Sequence, residues 1–183
     1  MSNAHFFIGI PVTEPIRKKM TKWQSELKEK VSFKNWTNPE DLHITLKFLG
    51  GADITDVKNV NERLQHTDFP APFSLNIDSL SYFGKSERPR VVFGGVEKND
   101  VLFKMQSQVE HIAAEAGFPK ENRSYHPHIT LAKKWDFNQP NVTPGWLEGY
   151  QAKMEMKVDR FHIYRIHPGK KPKYEAVATI LLK

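Results

Sequence analysis

The sequence predicts an α+β fold built from two similar halves. Apolar runs typical of strands alternate with two-faced helical stretches: strand, helix, strand, helix, strand, then strand, helix, strand, long loop, strand, strand. The tetrapeptide His-Ile-Thr-Leu stands at corresponding places in the two halves, at 43–46 and 128–131. We therefore expect a pseudo-symmetric molecule in which two sheets meet along a central cleft and the helices lie outside.

Local patterns support each predicted element. A short apolar run over 6–10 indicates a buried strand. Thr13 and Pro15 then begin a helix, in which apolar residues recur at three-to-four spacing to about residue 30. The further predicted elements are a turn at 36–39, helices at 54–65 and 101–116, a loop at 136–150, and strands at 43–49, 73–83, 90–94, 128–131, 154–166 and 174–182.

Composition excludes several classes of protein. A chain of 183 residues with 39% hydrophobic residues can bury a core, which excludes general disorder. The absence of cysteine excludes a disulfide scaffold, a thiolate zinc site, an iron–sulfur cluster and a cysteine nucleophile. The net charge of +6 is spread along the chain without a basic tail, so it favours an anionic partner only weakly.

The sequence also bears on location. No stretch approaches the roughly 18–20 apolar residues that a membrane span needs. The N-terminal apolar run is short, ends at Pro11 and lacks a preceding basic region, so it resembles a strand more than a signal peptide. We expect a cytoplasmic protein that does not associate with membranes.

The repeated tetrapeptide predicts a catalytic site. On a strand, His43 and Thr45 share one face while the intervening Ile and the following Leu turn to the core, and the same holds for His128 and Thr130. A pseudo-twofold axis would bring both imidazoles and both hydroxyls to one cleft. This set suits phosphodiester cleavage: a neutral histidine takes a proton from water, a protonated one gives a proton to the leaving oxygen, and the threonines bind the non-bridging oxygens.

The two motifs resemble the His-x-Thr-x signatures of the 2H phosphoesterase superfamily. The surrounding sequence resembles the RNA 2′,3′-cyclic phosphodiesterase family, also called 2′–5′ RNA ligases, over nearly the whole chain. Trp36 and the segments 6–11, 43–50, 88–96, 127–133, 161–165 and 174–175 carry this resemblance.

The resemblance implies a bilobal fold with two antiparallel-rich sheets, in which each half of one domain, 1–183, contributes one motif. It also implies hydrolysis of RNA 2′,3′-cyclic phosphate ends to 2′-phosphomonoesters without a metal or other cofactor. By position, His43 matches the proton donor and His128 the proton acceptor. The implied partner is an RNA end or a short oligonucleotide. No obligate protein partner is evident, so a monomer is expected.

Several residues are candidates for contacts with the substrate. The family commonly has arginine five positions after the second histidine; Lys133 stands there and keeps the charge but lacks the two-pronged guanidinium. Lys47, Lys134 and Arg123 are further candidates for phosphate contacts, with a structural ion pair as the alternative for Arg123. Phe48 is a candidate to stack on a base, and its alternative is a place in the core.

Other functions use the same residues. His126 and His128 form a His-x-His pair that, with His43, would suit zinc. A non-catalytic RNA-binding module would use the same cleft without turnover. Within the superfamily, the substrate would instead be another cyclic phosphate nucleotide, or the reaction would run in reverse as 2′–5′ ligation.

Overall fold

A computed structural model describes residues 3–183 of the chain. This part of the chain is α+β, which confirms the predicted fold class. No helix within residues 3–183 has the length and apolar character that crossing a membrane requires. The elements are β1 His5–Pro11, α1 Glu14–Lys28, β2 Phe33–Trp36, a 3₁₀ turn Pro39–Asp41, β3 His43–Gly51, α2 Ile54–Gln65, β4 Phe73–Lys85, β5 Arg88–Val96, α3 Asp100–Glu115, β6 His128–Trp135, β7 Met154–Val158, β8 Arg160–Ile166 and β9 Tyr174–Leu181.

The strands form one hydrogen-bonded path in the order β7-β4-β5-β6-β3-β1-β8-β9, and β2 pairs with β6 outside this path. Each pairing is antiparallel. β3 and β6 are joined by one residue pair, Ile44 opposite Ile129. The two predicted sheets are therefore linked at this pair. We call β3, β1, β8 and β9 the His43 half-sheet, and β6, β5, β4, β7 and β2 the His128 half-sheet.

Segments near both ends of the chain cross between the half-sheets. Helix α1 follows β1 of the His43 half-sheet, yet the Gln24 amide donates to the carbonyl of Leu131 on β6 at 2.9 Å. A Cβ at Gly94 of β5 would lie 3.0 Å from the Met20 sulfur, so glycine lets this helix approach the strand. Helix α1, which follows the first strand of one half-sheet, therefore packs on two strands of the other.

The single strand predicted over 154–166 is wrong. β7 pairs with β4 and β8 pairs with β1 and β9, so the chain leaves one half-sheet at Asp159 and enters the other. The buried positions change from even numbers, at Met156 and Val158, to odd numbers, at Phe161 and Ile163. Because buried residues alternate along a strand, this change of phase marks two strands.

The short strand β2 replaces part of the predicted turn near Trp36. Phe33 lies opposite Trp135, and Trp36 lies opposite Ala132. The turn comes slightly later, at Pro39–Asp41, where the Asn38 side chain accepts from the Glu40 amide. The polar residues Lys34 and Asn35 interrupt the apolar pattern, which hides this strand from a periodicity argument.

The helices lie on the side of the sheet that Ile44 and Ile129 face. Both isoleucines are fully buried and belong to one continuous core with apolar residues of the helices, among them Met20, Val60 and Met105. This burial anchors the junction of the two half-sheets from the core side.

We predict that Ile129→Ala lowers the free energy of unfolding by about 2–5 kcal/mol, because it removes a fully buried side chain at the junction. Urea denaturation measures the change. Leu181→Ala, at a 56% exposed position on β9, is the control and should change stability by less than about 0.5 kcal/mol. Equal stability of the two variants would contradict the importance of the junction.

Candidate active site

The junction brings the two tetrapeptides onto neighbouring strands. His43 and Thr45 of β3 are half-buried, as are His128 and Thr130 of β6, while the residue after each histidine is buried. Since the buried isoleucines face the helices, the histidine and threonine side chains lie on the opposite side of the sheet. The structure therefore places all four side chains on one face beside the junction.

Each tetrapeptide ends in a β-bulge at its leucine. Leu46 is an extra residue in β3, because its two neighbours pair with consecutive residues of β1. Leu131 is the matching extra residue in β6, because its neighbours pair with consecutive residues of β5. An extra residue shifts the alternation of side chains by one. The fourth residue after each histidine therefore turns inward and the fifth turns outward.

This shift makes the predicted phosphate contact of Lys47 wrong. Unbroken alternation would place Lys47 beside His43, but its side chain is only 6% exposed. Its ammonium donates to the Glu110 carboxylate at 2.7 Å and to the Pro119 carbonyl at 2.6 Å. Lys47 therefore forms a buried ion pair on the core side.

The fifth residues after the two histidines are Phe48 and Lys133, and both are exposed. Phe48 is 65% exposed, so it lies outside the core, and its ring lies 5.9 Å from that of Phe7. Lys133 lies near enough to His43 for its charge to lower the imidazole pKa. The bulges thus place one aromatic ring and one cation at equivalent positions of the two motifs.

Backbone carbonyls orient both imidazoles in the same way. His43 Nδ1 lies 2.7 Å from the carbonyl of Asp41, and His128 Nδ1 lies 2.7 Å from the carbonyl of His126. A carbonyl only accepts, so we assign the proton to Nδ1 in each neutral ring. Nε2 then holds the lone pair, and that of His43 lies 2.9 Å from Thr45 Oγ1. Each ring therefore has one nitrogen available to transfer a proton.

Aromatic rings surround both histidines. The Phe7 and Tyr174 rings lie 4.6 and 5.3 Å from that of His43. The pKa of His43 is lowered to about 4, mainly by burial and to a smaller degree by the charges of His128 and Lys133, although the hydrogen bond to the Asp41 carbonyl acts in the opposite direction. Burial also lowers the pKa of His128. Both imidazoles are therefore neutral at neutral pH when no anion is bound.

The aromatic neighbours of His128 are Phe83 and Phe93. Their ring centroids lie 5.1 and 5.2 Å from the imidazole. Both phenylalanines come from the β4–β5 hairpin, whereas Phe7, which lies beside His43, comes from β1. No local pattern in the sequence connects these phenylalanines with the histidines, because each contact depends on strand pairing.

Two more residues shape the site without having been predicted. The Tyr125 hydroxyl donates to the Thr45 carbonyl at 2.9 Å, which ties the segment before the second motif to the first motif. Gly9 lies opposite Thr45, and a Cβ there would lie 3.3 Å from His43 Cδ2 and 3.1 Å from the Ile44 carbonyl. Glycine at this position leaves room for the imidazole.

Asp41 links the first motif to the entry of β9. Its carbonyl accepts from His43, while its carboxylate accepts from the backbone amides of Lys173 and Tyr174 at 2.9 and 3.1 Å. The residue is only 4% exposed. The only sign of this role in the sequence is that Asp41 stands two positions before the motif histidine. The residues that its carboxylate binds lie more than 130 positions away in the chain.

The remaining predicted residues have different surroundings. Arg123 has an 86% exposed side chain and pairs with Glu121 at 3.3 Å, which matches its structural alternative. Lys134 has a left-handed backbone conformation with φ of 64°. The rings of His126 and His128 lie 6.2 Å apart, and residues 3–183 contain no group of three side chains suited to hold a metal ion. The zinc alternative therefore lacks a ligand set in this part of the chain.

The family model of LigT-like phosphoesterases matches the chain twice, over residues 10–93 and 95–174. This chain belongs to the LigT-like phosphoesterases. Each match contains one His-x-Thr motif, so the family pattern follows the internal repeat. The resemblance to the 2H phosphoesterases is confirmed.

Relatives support this assignment, and solved structures share the fold. An RNA 2′,3′-cyclic phosphodiesterase of Bacillus subtilis is 34% identical over 175 residues, covering 94% of this chain and 93% of the relative. One of Thermotoga maritima is 30% identical over 161 residues, covering 86% and 84%. E. coli LigT complexed with 3′-AMP superposes with a TM-score of 0.78 at 22% identity over 98% of both chains. The protein TT0787 of Thermus thermophilus superposes with a TM-score of 0.76 at 23% identity over 97% of both chains.

We predict that Asp41→Ala lowers the free energy of unfolding by about 1–3 kcal/mol, since it leaves two part-buried backbone amides without their acceptor. Asp41→Asn keeps an acceptor oxygen and should retain most of the stability. Urea denaturation and hydrogen exchange at the amides of Lys173 and Tyr174 measure both effects. Wild-type protection of these amides in Asp41→Ala would contradict the anchoring role.

Proposed function

We propose that this chain hydrolyses RNA 2′,3′-cyclic phosphate ends to 2′-phosphomonoesters by metal-independent acid–base catalysis. The observation that carries the proposal is the pair of imidazoles on neighbouring strands, each with Nδ1 held by a carbonyl and Nε2 available. The relatives named RNA 2′,3′-cyclic phosphodiesterase support the choice of substrate. In this proposal each half of one bilobal domain contributes half of the site.

The two histidines take complementary roles in the proposed reaction. His128 Nε2 accepts a proton from water as the water oxygen bonds to phosphorus. The bond between phosphorus and the 3′ oxygen breaks, and protonated His43 gives its Nε2 proton to that oxygen. The phosphate stays on the 2′ oxygen, and solvent returns both rings to their starting states. Thr45 and Thr130 donate to the non-bridging oxygens as negative charge develops there.

Substrate binding supplies the protonated form of His43. Its pKa of about 4 leaves it neutral in the free protein at neutral pH. A phosphodiester carries a negative charge, and an opposite charge beside a buried imidazole raises its pKa. His43 therefore takes up a proton from solvent when the substrate binds. The hydroxyl of Thr45, which bonds His43 Nε2 in the free protein, then turns to the phosphate.

Two exposed residues extend the site toward the rest of the substrate. Lys133 offers a positive charge near His43, and Phe48 offers an exposed ring for stacking on a base. We expect RNA ends and short oligonucleotides to bind as single strands to a monomer. A cysteine-free chain that acts on RNA ends suits the cytoplasm.

We predict that the protein converts a short RNA ending in 2′,3′-cyclic phosphate to the 2′-phosphomonoester in the presence of EDTA. Either His43→Ala or His128→Ala should lower kcat by about 10²–10⁴-fold, because each removes a proton-transfer group. His111→Ala is the matched control, since this histidine on α3 is 67% exposed and pairs with Glu115.

The activity of the variants, the product formed and the response to EDTA separate this proposal from its alternatives. Full activity in both site variants would contradict the mechanism, and a 3′-phosphate product would exchange the two histidine roles. Loss of activity in EDTA with recovery in zinc would indicate a metal mechanism. Binding of the RNA without turnover would indicate a binding module.

We predict bell-shaped pH profiles whose maxima differ. Catalysis needs His43 charged and His128 neutral, and burial lowers both pKa values in the free protein. The profile of kcat/KM, which reflects the free enzyme, should therefore peak below the ordinary histidine pKa of about 6.5. The profile of kcat should peak at higher pH, because bound phosphate raises the pKa of His43. Coinciding maxima above pH 7 would contradict this account.

A further inference from the structure

Two lysines beside the site have no carboxylate partner. Lys133 lies on β6, and Lys173 directly precedes β9. Both are exposed, and none of the ion pairs found among residues 3–183 includes either of them. Burial lowers the pKa of Lys133, and the charges of Lys173 and Lys134 lower it further. Two such cations in proximity favour an anion between them.

Asp41 holds the backbone at Lys173 in a defined place. Its buried carboxylate accepts from the Lys173 amide, at 2.9 Å from one oxygen and 3.1 Å from the other. The lysine side chain is not the partner of this carboxylate, so its ammonium remains available. The same residue, Asp41, orients His43 through its carbonyl.

The residue after Lys173 lies against the site. The Tyr174 ring meets the His43 ring edge-on at a centroid distance of 5.3 Å. Lys173 is therefore one residue away from a side chain that packs on the imidazole. Lys133 comes from the His128 half-sheet, whereas Lys173 leads into a strand of the His43 half-sheet. The two lysines thus belong to segments of different half-sheets, and the charge of Lys173 acts on Lys133.

We propose that Lys173 binds the phosphate of the substrate together with Lys133, and that Asp41 positions it. The identity of the anion as the phosphate of an RNA end rests on the proposed function. Two ammonium groups on separate elements would then make the two contacts with the phosphate that a single guanidinium would otherwise make. The departure at Lys133 from the arginine common in this family would thereby be balanced by a second cation.

The first test compares Lys173→Ala with Lys170→Ala on the cyclic-phosphate RNA. Both variants lose one positive charge from the same exposed loop, but only Lys173 is anchored by Asp41. We expect KM to rise about tenfold in Lys173→Ala, as for loss of one charged contact, with a smaller change in kcat. Lys170→Ala should match the wild type, and Lys173→Arg should restore KM.

Salt dependence gives a second readout that a purely structural role would not change. For a single strand, each phosphate contact contributes about 0.7 to the slope of log affinity against log salt concentration. The slope of log kcat/KM should therefore become shallower by about 0.7 in Lys173→Ala and remain unchanged in Lys170→Ala.

A third readout needs no turnover. Inorganic phosphate is titrated into each protein while the ring proton signals of His43 and His128 are followed by NMR. We expect the affinity for phosphate to fall about tenfold in Lys173→Ala only. If phosphate affinity falls in Lys173→Ala but the wild-type protein hydrolyses no cyclic phosphate, the proposed function fails while the anion site stands. Equal KM, salt slope and phosphate affinity in the Lys173 and Lys170 variants would overturn the proposal.

Discussion

The site depends on the antiparallel pairing of Ile44 with Ile129, which joins β3 of one half-sheet to β6 of the other. Both side chains are buried in the common core, so the residues on either side of each isoleucine must turn the other way. This constraint alone brings two histidines and two threonines to one face. A half-sheet without its partner would hold one of the two motif histidines, and the proposed reaction uses both.

The bulge at each leucine changes, in the same way on both strands, which later residue lies on the face of the site. It removes the fourth residue after each histidine from the face and substitutes the fifth. Lys47 is thereby committed to Glu110 in the interior, while Phe48 and Lys133 become accessible. The repeat thus gives both sides of the site the same histidine and threonine, and differing residues at the fifth position distinguish the two sides.

The free protein keeps both imidazoles neutral and in a fixed orientation before an anion binds. Carbonyl groups fix the ring orientation, and aromatic neighbours keep the rings neutral. In the proposed reaction the substrate itself changes this state through its negative charge. Asp41 connects this chemistry with binding, because one residue orients His43 and anchors the backbone of Lys173.

The sequence predicted what depends on local pattern, and it failed where pairing decides. The repeated motif, the helices and the family follow from residues close together in the chain. Lys47, a candidate for phosphate contact, lies on the core side because of a β-bulge that is visible only in the pairing with β1. The partners of Asp41 and the aromatic neighbours of both histidines were missed because they come from distant segments. The phase change at Asp159, in contrast, is a local pattern, since Met156 and Val158 precede it at even positions and Phe161 and Ile163 follow it at odd positions.

The proposed reaction requires that both histidines keep their proton on Nδ1 and offer Nε2. Nitrogen-15 NMR of the histidine rings, at a pH where both are neutral, tests it most directly. We expect His43 and His128 both to show a protonated Nδ1 and an unprotonated Nε2. A protonated Nε2 in either neutral ring would contradict it.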